Sequence, residues 1–202
     1  MRLPEQFISR MQRELGVAEA EALCAALETE PSTSVRLNPA KMAEQKWGGG
    51  RVAWSDYGYL LGERPAFTLD PDFHAGAYYV QEASSQFAGY IVSMAVGGAE
   101  ACKGQRVLDM CAAPGGKSTH YATLVGERGL VVANEINRSR AAVLADNARK
   151  WGLGNMVVTC NDSARVADFE EWFDVVAVDA PCSGEGMFRK SDEACEQWSE
   201  AN

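Results

Sequence analysis

Val107-Leu108-Asp109-Met110-Cys111-Ala112-Ala113-Pro114-Gly115-Gly116-Lys117-Ser118-Thr119 begins as an apolar, β-branched run and breaks at an aspartate into small residues, a proline and two glycines. That pattern predicts a buried strand feeding a loop that opens a helix. Val175-Val176-Ala177-Val178-Asp179-Ala180-Pro181-Cys182 repeats it downstream. Around these two segments the signals alternate: helix 82–96, strand 106–110, helix from 116, strand 130–134, helix 138–151, strand 156–160, a short helix, strand 174–179. Alternation of this kind predicts an α/β fold with a parallel, Rossmann-like sheet. In open parallel sheets, ligands collect at the carboxyl ends of the strands, where backbone N–H groups and helix N-termini approach them. Asp109 and Asp179 are therefore expected at one edge of one sheet.

The loop does not carry either of the familiar nucleotide motifs. Gly116-Lys117-Ser118 invites a phosphate-cradle reading, but the glycine required five residues before Gly116 is Cys111. The dinucleotide pattern fails as well, since the loop's only glycines are the adjacent Gly115 and Gly116. What remains is an acid, Glu135, at the end of the second strand and 19 residues beyond Gly116, the placement that pairs with ribose hydroxyls. A second acid, Asp162, follows the third strand, where it is able to accept from an adenine amino group. An adenosyl ligand without pyrophosphate fits this set, and S-adenosylmethionine is the candidate. Taken singly, either acid also reads as a solvated turn residue.

At these residues the chain resembles the Sun-type family of RNA cytosine-5 methyltransferases, and within it the bacterial RsmF-like ribosomal RNA enzymes. Asp109 to Thr119 is similar to that family's cofactor loop, and Asp179-Ala180-Pro181-Cys182-Ser183-Gly184 to its Asp-x-Pro-Cys motif. Less specific support comes from Tyr78-Tyr79-Val80-Gln81-Glu82-Ala83-Ser84-Ser85 and Ser34-Val35-Arg36-Leu37-Asn38-Pro39. The resemblance implies that Cys111, Ala112, Ala113, Pro114, Gly115, Gly116 and Lys117 surround the methionine end of S-adenosylmethionine. It also implies that Glu135 holds the ribose, that Asp162 meets the adenine, and that Asp179 sits between cofactor and target base. RNA, in particular ribosomal RNA, is the implied partner.

Carbon 5 of cytosine is a poor nucleophile, so such an enzyme adds a thiolate at carbon 6, and an acid stabilises the charge developing at the ring nitrogen. Asp179 and Cys182 supply one residue of each type. In the family resembled, attack comes from a cysteine in a Thr-Cys-Ser motif, and the Pro-Cys cysteine assists release of the methylated RNA. Residues 1–202 contain no Thr-Cys-Ser, the nearest pair being Thr159-Cys160. The resemblance thus assigns Cys182 the assisting role and places the main nucleophile beyond residue 202. The 202-residue chain alone is then expected to be inactive, with strand 174–179 as an exposed apolar edge prone to self-association. Two alternatives stay open: a cofactor-binding but inactive module of a larger assembly, and a small-molecule methyltransferase on the same fold.

Composition bounds these readings. The net charge is −9, from 28 acidic and 19 basic residues, which is awkward for a protein that must meet phosphates. Residues 1–66 hold 8 bases and 9 acids, and residues 67–202 hold 11 and 19, so the acidity lies mostly in the second part. RNA contact would rest on local positions such as Arg36, Lys41, Lys46, Arg51, Arg189 and Lys190. Six cysteines without a C-x-x-C spacing argue against a disulfide framework or zinc cluster. His74 and His120, the only histidines, read as structural or surface residues, so no metal is expected. No apolar run approaches the roughly 20 residues that cross a bilayer, and no cleavable leader is recognisable, so a cytoplasmic chain is expected.

The N-terminal region reads as a small α+β domain at 1–66, ahead of a methyltransferase-type domain at 67–202. A helix with Phe7, Ile8, Met11 and Leu15 on one stripe follows Pro4 and stops at Gly16. A second helix spans 17–29, residues 34–37 look extended, and Gly48-Gly49-Gly50 and Asp56-Tyr57-Gly58-Tyr59 read as loops between short strands.

Overall fold

The computed structural model describes residues 3–200. Along the chain run α1 (Glu5–Leu15), α2 (Val17–Leu27), β1 (Thr33–Leu37), β2 (Gly58–Leu61), α3 (Pro71–His74), β3 (Tyr78–Val80), α4 (Ala83–Ala95), β4 (Arg106–Asp109), α5 (Gly116–Val125), β5 (Leu130–Asn134), α6 (Arg138–Trp151), β6 (Met156–Thr159), β7 (Val175–Ala177) and α7 (Asp192–Gln197). They fall into two compact units, one spanning Thr33–Ala180 and the other joining the described residues up to Ser32 with those from Pro181 onward. The boundary expected at residue 66 falls inside the first of these, because β3, at 78–80, pairs with β1 and continues the small sheet past it. The tail expected in the second domain folds with the N-terminal helices instead. Phe7 meets Phe188 and Trp198 edge-on at 5.1 and 5.7 Å, giving the apolar stripe of α1 its partner.

Within Thr33–Ala180 there are two sheets. The smaller is antiparallel, in the order β2-β1-β3. Gly58 and Tyr59, expected in a loop, lie in β2 and pair with Arg36 and Val35. The larger is parallel, in the order β6-β5-β4-β7. The chain thus steps from β4 outward through β5 to β6, then crosses to the other side of β4 for β7. That reversal is the topological switch point at which open α/β sheets hold ligands. The two central strands carry the core: Val107, Leu108, Val131 and Ala133 are all at 0–1% exposure, in keeping with the unbroken apolar runs of strands covered on both faces. The outer strand β7 leaves Val176 exposed.

The helices that frame the switch point have local causes. The side chain of Asn137 caps α6 by accepting from the N–H groups of Ser139 and Arg140, and Ala141, Leu144 and Trp151 form its buried face. Helix α5 packs closely on α4 at Gly89, where an added Cβ would lie 2.3 Å from the His120 ring. His120 is buried there, and burial, with Arg36 nearby, holds it well below the usual histidine range, so it serves packing as a neutral ring. Among the described residues no helix is long and apolar enough to cross a membrane, and no group of three or more His, Cys, Asp or Glu is placed to hold a metal ion.

Candidate cofactor site

The loop at 110–116 is anchored to both neighbours of β4. The Met110 N–H donates to the Ala177 carbonyl of β7 at 3.0 Å, and that of Ala112 to the Asn134 carbonyl of β5 at 2.9 Å. Gly115 then turns the chain into α5 with φ of 106°, a conformation that disfavours any residue with a Cβ. A Cβ at this position would also lie 2.9 Å from Leu144. The loop's carbonyls are held from outside: Arg140 donates to Ala113 at 3.0 Å, Asn147 to Pro114 at 2.8 Å, and Arg36 to Gly116 at 3.0 Å. With these groups taken up by side chains, the loop is fixed before any ligand arrives, which lowers the ordering cost of binding.

The sequence-predicted residues of the sheet unit meet at this edge. Lys117, in the first turn of α5, donates to Asp179 at 2.7 Å and so ties the loop to the end of β7. Glu135 is buried, at 2% exposure. Its Oε1 accepts from the Asn137 N–H at 2.9 Å, while its Oε2 lies 3.2 Å from Arg140 without hydrogen-bond geometry to any group. Asp162 is exposed and caps the 3-10 turn Ser163–Asp168 through the Ala164 N–H. Cys182 belongs to the other compact unit. A buried carboxylate oxygen lacking a hydrogen bond, next to a fixed glycine loop, fits a ligand that brings hydroxyl donors, as the ribose of S-adenosylmethionine does.

The surroundings of Cys111 favour its protonated thiol. Partial burial raises its thiol above the ordinary range, and Glu135, Asp109 and Asp179 raise it further, so it stays protonated at neutral pH. Asp109 is at 2% exposure and accepts from the Ser118 hydroxyl at 2.7 Å. Burial raises its pKa above the ordinary value, Ser118 and Lys117 pull it back, and Asp179 raises it again. A folded-state pKa above the unfolded one means that the folded protein takes up a proton first as pH falls, so this group costs stability at neutral pH, and the cost shrinks as pH falls through the raised value and is gone below the unfolded one. Asp109→Asn removes the effect. In urea unfolding, wild type is expected to gain stability relative to Asp109→Asn as pH falls from neutral toward the ordinary carboxylate range; a pH-independent difference would show that burial does not raise the Asp109 carboxyl.

Several residues that build the site were not read as part of it. Arg36, expected among RNA-contacting bases, is fully buried and is corrected to a structural cation: an extended strand in a covered sheet turns it inward onto Gln81, Gly116 and Thr119. Arg140, Asn147 and Tyr79, whose hydroxyl donates to the Pro114 carbonyl at 3.4 Å, were likewise missed as loop anchors, though Arg36 and Tyr79 lie in the two N-terminal stretches that carried the weaker resemblance. Of the other bases, Lys41 donates to the Ala75 and Lys150 carbonyls, Lys46 pairs with Asp70 and Asp72, Arg51 donates to the Asp56 carbonyl, and Arg189 to those of Thr29 and Glu30.

The chain has relatives in both sequence and fold. Residues 100–202 match the family of 16S rRNA methyltransferases RsmB/F, and residues 3–83 match the N-terminal domain of 16S rRNA methyltransferase RsmF. The ribosomal RNA small subunit methyltransferases F of Enterobacter sp. (strain 638) and of Vibrio cholerae are 33% and 34% identical over 98% of this chain. The chain spans 44% of the length of each. Among solved structures, a methyltransferase homolog from Pyrococcus horikoshii superposes with a TM-score of 0.74 at 25% identity, covering 95% of this chain and 68% of the other. NSun6 from the same organism, solved with SFG, shares the fold with a TM-score of 0.71 at 16% identity, covering 90% and 71%. The chain belongs to the RsmB/F family of 16S rRNA methyltransferases, which are S-adenosylmethionine-dependent.

Proposed function

We propose that this chain carries the cofactor-binding part of a cytoplasmic enzyme that methylates carbon 5 of a cytosine in ribosomal RNA. The observation that carries the cofactor half of this reading is the carboxyl edge of the parallel sheet, where the fixed 110–116 loop, the buried Glu135 and the Lys117–Asp179 pair come together. The cofactor supplies an electrophilic methyl group. Glu135 accepts from its ribose hydroxyls, Asp162 accepts from its adenine amino group, and residues 111–117 enclose its methionine end. Asp179, oriented by Lys117, stabilises the charge that develops on the ring nitrogen once a thiolate has added to the base. Cys182 takes the assisting part, in release of the methylated RNA, because Asp179-Ala180-Pro181-Cys182 matches the family's Asp-x-Pro-Cys pattern.

The cofactor half is tested by thermal denaturation with added nucleosides. S-adenosylmethionine is expected to raise the melting temperature, since a ligand that binds only the folded state stabilises it by mass action, and ATP and NAD are expected to raise it less. A larger shift with ATP would overturn the assignment.

A further inference from the structure

We propose that a second site, away from the sheet's carboxyl edge, takes a nucleotide of single-stranded RNA. A cavity of about 480 Å³ lies within the Thr33–Ala180 unit, between the segment at 64–80 and the end of α6. Its volume suits one nucleotide. Arg64 and Lys150 line it together with Phe67, Phe73, Tyr78 and Tyr79. No aspartate or glutamate does. In a chain with 28 acids against 19 bases, a lining with two cations and no acid departs from the overall balance, although Asp70 accepts from the hydroxyl of the lining Tyr78 at 2.8 Å.

Lys41, Lys46, Arg51 and Arg189 bond to carboxylates or backbone carbonyls, but Arg64 and Lys150 have no carboxylate partner among the described residues. Each lies over a ring instead: Arg64 is 5.5 Å from the centre of Phe67, and Lys150 Nζ is 4.2 Å from that of Phe73. The ring faces hold the cations in place without neutralising them. Phe73 and Tyr79 are only half-buried, so aromatic surface remains for a base. Unneutralised cations beside aromatic rings are the composition that binds single-stranded nucleic acid, the charge tracking phosphate and the rings taking bases. A phosphate with a planar base satisfies both parts of the cavity, and in a family acting on ribosomal RNA the ligand that carries both is a nucleotide of the substrate strand. The inference rests on the proposed function for its choice of RNA.

The test is fluorescence anisotropy with the 202-residue chain and a fluorescein-labelled single-stranded RNA of about twelve nucleotides, titrated with salt. Arg64→Ala combined with Lys150→Ala is expected to weaken binding about tenfold or more and to reduce the slope of log affinity against log salt by roughly 1.4, the value for two phosphate contacts on a single strand. Thr68→Trp, at an exposed rim position, keeps both charges but fills the cavity, and is expected to weaken binding with the salt slope unchanged. Arg64→Lys with Lys150→Arg should retain affinity. No binding by wild type, a double variant within twofold of it, or an inert Thr68→Trp would each overturn the proposal. S-adenosylmethionine affinity, measured by calorimetry on the same proteins, separates the two readings. Loss in wild type would count against the proposed function, whereas intact cofactor binding with a failed RNA result removes only the second site. Arg64→Ala alone, on an exposed side chain, decides the matter should the double variant lose its fold.

Discussion

Arg36→Ala is expected to destabilise the protein by about 3 to 5 kcal/mol, the cost of breaking a buried charged network, against a total stability of roughly 5 to 15 kcal/mol for a domain. The guanidinium is fully buried without a carboxylate. It donates to Gln81 at 2.8 Å, to the Gly116 carbonyl at 3.0 Å and to the Thr119 hydroxyl at 2.7 Å, and it stacks 4.4 Å above the Trp151 ring. Burial pulls its pKa down to about 9, so at neutral pH it remains a cation solvated by neutral acceptors and an aromatic face. Removing it strands those acceptors in a dry site and opens a cavity between the small sheet and α5. An opposing effect is real, since a desolvated charge is costly and a well-packed apolar replacement is often tolerated. Arg36→Met separates the two: it restores most of the volume but none of the hydrogen bonds. If urea unfolding places Met near wild type, the network contributes little to stability; a Met variant as weak as Ala assigns the loss to the bonds. Arg36→Lys should recover only part, because one ammonium does not reproduce the planar fork that reaches three acceptors.

The parallel sheet was legible in the sequence because each strand is an apolar run that ends at an acid or within three residues of one, signals that act within a few residues. The predicted helix at 138–151 matches α6, where Asn137 and Gly152 mark both ends chemically. The division into units was less legible. Whether residues 181–200 join the sheet or the N-terminal helices depends on Phe7 finding Phe188 and Trp198, a long-range match that no local pattern encodes. The same limit hid the site's supports. An arginine in an extended strand reads as a surface base, and only the approach of β1 to α5 turns Arg36 into a buried clamp. The residues proposed to touch the ligand were named from sequence, whereas those that hold the ligand loop in place were not, since support depends on tertiary packing.

Glu135→Gln is expected to weaken S-adenosylmethionine binding about ten- to a hundredfold, with little change in melting temperature. The two carboxylate oxygens have different tasks. Oε1 accepts from the Asn137 N–H at the start of α6, a local bond that glutamine's carbonyl is able to keep. Oε2 has no hydrogen bond and is the oxygen proposed to meet a ribose hydroxyl. Glutamine replaces this acceptor with a donor and removes the charge, and a hydrogen bond to a charged group contributes roughly 1.5 to 3 kcal/mol, which gives the stated range in dissociation constant. Glu135→Ala should lose the same affinity and also about 1 kcal/mol of stability, a typical figure for one hydrogen bond, because the Asn137 N–H is left without its acceptor. Arg140, within 3.2 Å of Oε2 and bonded to the Ala113 carbonyl, links the acid to the loop, so both variants are also expected to loosen residues 111–114. Calorimetric titration of the two variants distinguishes these contributions. Equal loss of affinity in Gln and Ala with a stable Gln variant supports direct contact by Oε2; full affinity in the Gln variant would confine Glu135 to shaping the start of α6 and remove it from the cofactor site.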